Sequence, residues 1–254
     1  MEPTSKAAGR LLMERIPHLF WTPCAAHCLD LLLEDIGKIK EFNTCINMAK
    51  KLHKPLLVAL RIADGDETPA ALEIMAAMDH AKAAIKDSLK DKPNLLKEVL
   101  EYFDKRWENQ MERRLYGAAL YLNPSKYFAI REKDRRQATK LRIMFNQVMW
   151  KMVSDDEDQN KISKQADDYE RSEGQSFSKP GAIRDRDRKN PILWWGAYGG
   201  LTYELQCLAK MIVSLCCSRI RMRRNWSEFS LFHEGAANAI TWANVDDAIG
   251  ATRV

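Results

Sequence analysis

Residues 190–233 read NPILWWGAYGGLTYELQCLAKMIVSLCCSRIRMRRNWSEFSLFH, and their order governs how the chain is read. The Trp194–Trp195 pair brings a large apolar surface, and Gly199 and Gly200 supply a turn. Thr202 is placed to cap a helix whose first turn carries Glu204 against the positive end of the helix dipole. Leu205, Leu208, Ala209, Ile212 and Cys216 follow at i, i+3, i+4, i+7 and i+11. That spacing lays one apolar stripe along a helix of about four turns, and such a stripe has to be buried. Beyond it come Arg219, Arg221, Arg223 and Arg224, then a second apolar group of Trp226, Phe229, Leu231 and Phe232. By composition the segment is a helical hairpin or an association element. The tryptophans read first as ordinary core, because aromatic side chains dominate cores and interfaces alike.

Outward from this segment, 254 residues with 46% hydrophobic content are enough to bury a sizeable core, as one large domain or two small ones. No run approaches the roughly 18 to 20 apolar residues of a membrane span, and Met1–Lys6 lacks the apolar stretch of a secretory signal, so an intracellular protein with no membrane partner is expected. The six cysteines, with Cys216 and Cys217 adjacent and Cys24 and Cys28 on one helical face, read as reduced thiols. A net charge of +5 permits nucleic-acid contact without demanding it, since 40 basic residues are nearly matched by 35 acidic ones.

In chain order, residues 6–15 suit a short helix, Ile16–Trp21 a brief extended piece, and Pro23 the first position of the next helix. In that helix Cys24, Cys28, Leu31 and Leu32 share a face with His27 beside them. Cys24 and His27 lie one turn apart, but a structural zinc site needs about four ligands and no second Cys/His pair follows, so no metal and no cofactor is expected. Ile74, Met78, Ala81 and Ile85 recur at helical spacing after a turn at Asp64–Asp66. A third helix is predicted over 94–115 with Leu96, Val99, Phe103 and Trp107 inward, and another ending at Asn123–Pro124. Residues 154–189 pass from an acidic block to a mixed basic one with few apolar anchors, the pattern of a solvated connection.

The 190–233 string resembles the C-terminal dimerisation region of hAT-superfamily transposases of the plant-type branch. There a Trp-Trp pair, a Tyr-Gly turn, a helix start and a Cys-Glu-Arg-Asn-Trp-Ser-x-Phe segment occur in this order. Here the last segment reads Met222 to Phe229, with Arg223 where the family has its glutamate. WTPCAAHCLDLLLEDIGKIK resembles the Cys-x-x-His segment of the same family, which follows the second catalytic acid of an RNase H-like core and helps contact transposon DNA; Cys24 and His27 match it. Residues 55–89 resemble the helical domain inserted into that core, with about a hundred family residues missing before it. Leu122-Asn123-Pro124 matches the family's Leu-Asn-Pro, and 234–254 resemble its acidic tail.

The resemblance implies a mainly α chain, the remnant of an RNase H-like fold with its helical insertion domain. It divides into 1–50 (core remnant with the Cys-x-x-His helix), 54–150 (insertion-domain remnant), 151–190 (charged linker), 191–233 (dimerisation region) and 234–254 (acidic tail). RNase H-like strand transfer needs a cluster of acids converging on metal ions, and a guanidinium at 223 cannot ligate a cation. No catalytic residue is therefore assigned, and the chain is not expected to be an enzyme. The first function implied is dimerisation through Trp194, Trp195, Leu205, Leu208, Ile212, Trp226 and Phe229, as a homodimer or with a related transposase-like protein, in the nucleus. With the family's sheet largely missing, much of this surface is expected to be exposed in a monomer. The alternatives are a residual DNA-binding module using Cys24, His27, Arg219, Arg221, Arg223 and Arg224 in weak nucleic-acid contact, and a truncated product without selected function.

Overall fold

The computed structural model of the protein describes residues 3–39, 46–63, 71, 73–108, 111 and 113–215. Among these the chain is mainly α, with no strand. The piece expected to be extended, Ile16–Trp21, is irregular: the Leu19 N–H turns back onto the Ile16 carbonyl at 3.0 Å, and no neighbouring strand offers a ladder. The chain divides into two compact units, one holding residues 22–113 and the other 7–21 with 114–215. The boundary falls inside the 54–150 stretch that the resemblance implies is one domain.

In the first unit, α2 (Ala25–Gly37; α1, Pro3–Arg15, precedes it) packs on α3 (Ile46–Ala63), which packs along α4 (Ile74–Ser88). α5 (Pro93–Phe103) runs on as a π-helical turn, Asp104–Glu108, and closes against α2. The periodic positions Ile74, Met78, Ala81 and Ile85 are all buried, as are Val99, Phe103 and Trp107. Leu95, one residue before the predicted Leu96, completes the buried face of α5. The regular α-helix ends at Phe103, short of the predicted 115, and passes into the π turn, whose Arg106 meets Asp35 of α2 at 2.7 Å with both side chains largely covered.

The second unit is built from α6 (Arg113–Tyr121), α7 (Pro124–Lys133), α8 (Arg135–Met152), α9 (Asp156–Arg171), two short turns α10 (Gly174–Phe177) and α11 (Pro180–Arg184), α12 (Pro191–Tyr198) and α13 (Tyr203–Val213). Polar caps start these helices at short connections. Asp134 accepts from the N–H groups of Arg136 and Gln137 at 2.9 and 3.1 Å, Asp155 from Asp158 at 2.8 Å, and Asn190 from Ile192 at 2.9 Å. Asn123 and Asn190 are each followed by a proline at the first helical position, where a missing N–H costs nothing. α6 and α8 approach closely at Gly117, where a Cβ would collide with the Met144 side chain. Residues 7–21 belong to this unit too, with Lys151 of α8 standing 4.1 Å over the Phe20 ring.

The stretch 151–190, expected to be a charged linker, is folded into this unit. On α9 only Ile162, Ala166 and Tyr169 are buried, at i, i+4 and i+7, and this narrow stripe suffices because Tyr169 sits at the middle of an aromatic cluster. Its ring lies 5.1 to 6.0 Å from those of Tyr121, Tyr127, Phe128, Phe177, Trp194 and Trp195. Ring pairs at these separations add to the area they bury. Phe177 and Ala182 are buried as well, and Asp167 pairs with Arg142 of α8 at 2.9 Å.

Candidate association surface

Trp194 and Trp195 turn inward together from α12, each with its indole N–H satisfied. Trp194 donates to the Ala182 carbonyl at 2.9 Å and Trp195 to the Leu122 carbonyl at 2.8 Å. The chain then reverses at Gly199, where a Cβ would stand 2.8 Å from the Trp195 carbonyl oxygen; glycine is required by this approach and not by its φ of −82°. Gln206 locks the return by donating to the same Trp195 carbonyl at 2.7 Å. Thr202, expected to cap α13, does not: its hydroxyl donates to the Gly199 carbonyl at 3.0 Å. The cap comes from α9 instead. Gln165 accepts from the Leu205 N–H at 2.9 Å and donates to the Glu204 carboxylate at 2.7 Å, and this bond holds the Glu204 carboxyl below the usual range.

The inner face of the hairpin is therefore closed. Trp194, Trp195, Leu205 and Ile212 have no exposure and Leu208 has 5%, so the free surface expected at these positions in a monomer is absent. The reason is the folding of 151–190, whose Tyr169 and Phe177 cover the tryptophans. Trp226 and Phe229 lie outside the described residues, as do Arg219, Arg221, Arg223 and Arg224.

The outer face differs in kind. Leu193 is 66% exposed on α12, Leu201 66% in the turn, and Tyr203 66% and Met211 55% on α13, with Cys207 exposed between the last two. Tyr203, Cys207 and Met211 fall at i, i+4 and i+8, one stripe along the helix opposite the buried one. Glu204 and Lys210, both half-exposed, flank this stripe on opposite sides, the Lys210 ammonium lying near Gly196 of α12. Sequence reading passed over these residues because it followed the stronger stripe. The signal was present, for α13 is apolar on more of its circumference than a helix with one buried face needs.

In the first unit Cys24 precedes α2 as a partly covered thiol, and Cys28 is buried, which pushes its thiol up to about 11. His27 is half-buried and desolvation lowers its pKa, favouring the neutral ring at pH 7. Among the described residues no group of three or more His, Cys, Asp or Glu side chains is placed to hold a metal ion, and no helix is long and apolar enough to cross a membrane. Residues 1–52, spanning α1, the Cys-x-x-His segment and the start of α3, match a family model described as a domain of unknown function, DUF659. No curated protein and no solved structure matches the chain.

Proposed function

We propose that this is a non-catalytic, transposase-derived protein that self-associates, and that its seam is the outer face of the α12–α13 hairpin. The observation that carries the reading is the exposed stripe of Tyr203, Cys207 and Met211 along α13, with Leu193 and Leu201 also exposed on the hairpin. Contiguous apolar surface of this kind marks association sites. A second copy fits it by symmetry. When two α13 helices lie antiparallel across a two-fold axis at Cys207, Tyr203 of each copy meets Met211 of the other. Glu204 and Lys210, on opposite flanks of the stripe, then rim the apolar centre. The partner is another copy of this chain or a related protein carrying the same hairpin.

Two features at opposite ends of the chain support a transposase origin. Residues 191–233 resemble the hAT dimerisation region, and the domain matched over 1–52 is one found in hAT-like transposase-related proteins. The non-catalytic reading rests on Arg223, which stands in place of the family's metal-binding glutamate, and a nuclear location follows from the resemblance alone. A residual DNA-binding role would show as binding that weakens steeply with salt, whereas association through an apolar seam would not.

Cross-linking tests the seam. Helices packed about 8–10 Å apart, with Cα atoms about 2.3 Å from each axis, bring two facing Cys207 Cα atoms within disulfide reach. Oxidised glutathione takes two electrons and two protons from the thiol pair and leaves as two reduced molecules. The expected product is a covalent dimer that forms in the wild type and is lost in Cys207→Ser. Equal cross-linking of both chains would assign the contact to another cysteine and remove Cys207 from the axis.

A further inference from the structure

A cavity of about 290 Å³ opens between α7, α8 and α9, away from the hairpin's outer face. Arg135, Thr139 and Arg142, at i, i+4 and i+7 along α8, form one wall, and Arg131 of α7 with Tyr127 and Glu170 form the rest. Three guanidinium groups thus converge with one carboxylate. Arg142 is fixed: it donates to Asn146 at 3.0 Å, to the Tyr121 hydroxyl at 2.9 Å and to Asp167 at 2.9 Å, so its charge is answered within the protein. Arg131 donates to the backbone carbonyl of Glu170, a neutral acceptor. Arg135 is exposed, and neither it nor Arg131 makes an ion pair among the described residues. Two guanidinium groups therefore face one cavity with their charge unanswered, beside a third.

We propose that this cavity binds the phosphoryl group of a small phosphorylated molecule. Arg131 and Arg135 supply the planar forks that match phosphate oxygens, while the Thr139 hydroxyl between Arg135 and Arg142 donates to the Arg135 carbonyl at 2.9 Å and only lines the wall. Glu170 gives the site a second polarity: its carboxylate stands 3.7 Å from the Arg142 guanidinium and retains acceptor capacity for a hydroxyl on the organic part of the ligand. The volume lies at the small end of ligand cavities, which run from about 300 Å³ upward, and suits a phosphate with a short polyol.

Calorimetric titration of the full chain at constant ionic strength tests this, with inorganic phosphate and glycerol 3-phosphate as the two probes. Saturable binding is expected, weakened about tenfold in Arg135→Ala and unchanged in Arg136→Ala, its exposed neighbour outside the cavity lining. Tighter binding of glycerol 3-phosphate identifies an organic phosphate as the ligand, and equal binding identifies the free ion. Both arginine variants should unfold at the wild-type temperature without ligand, because neither side chain is buried. Absence of saturation with both probes, or equal loss in both variants, overturns the proposal. So does a DNA oligonucleotide whose Arg135-dependent binding neither phosphate displaces.

Discussion

Trp194 and Leu193 are neighbours in sequence and opposites in environment, one without exposure and the other 66% exposed. The size of the tryptophans made them legible as buried anchors; which partner would bury them was not, because the covering residues Tyr169 and Phe177 lie in a stretch dominated by charge. The difference between the two faces predicts different mutational costs. Trp195→Phe removes the donor to the Leu122 carbonyl and leaves that oxygen without this bond in a dry site, which should cost about 1–3 kcal/mol beyond the lost packing. Leu193→Ser should stay within about 0.5 kcal/mol. Urea denaturation measures both, and equal losses would mean that the two faces are not distinct.

At the scale of elements, apolar spacing was a reliable guide wherever a helix carries a full buried stripe. The positions 74, 78, 81 and 85 of α4 and 205, 208, 209 and 212 of α13 are buried as the periodicity predicts. It was blind to α9, where three apolar residues in sixteen suffice because a distant cluster receives one of them. It was blind as well to the cap of α13, since Gln165 lies forty residues before the N–H it accepts from. Gln165→Ala should destabilise the protein by about 1 kcal/mol at neutral pH, the usual scale of a lost cap. Part of that loss depends on pH. Glu204 has its folded pKa below the ordinary 4.5, so its contribution is complete above that value and is lost as pH falls through the folded value. The stability difference between wild type and Gln165→Ala should therefore hold steady from neutral pH to about pH 5 and shrink below it. A difference that stays constant down to pH 3 would show that Gln165 does not act on the Glu204 carboxylate.

For the whole molecule, the mainly α class was legible from sequence, and the division into units was not, because the boundary near Arg113 carries no proline or glycine signal while the charged 151–190 stretch looked like one. The consequence for function is a change of face. The apolar surface once assigned to a partner is used inside the chain, and the surface left over is the stripe around Cys207. Substitution within the buried stripe, such as Ile212→Asp, would test folding; Met211→Glu places a charge on the outer stripe and tests association. Sedimentation equilibrium of the full chain over about 1–100 µM measures that directly. The mass should rise with concentration from the 29.3 kDa of one chain toward twice that value, and Met211→Glu should remain at one chain with an unchanged helical spectrum. A wild-type chain that stays at 29.3 kDa across the whole series would contradict self-association.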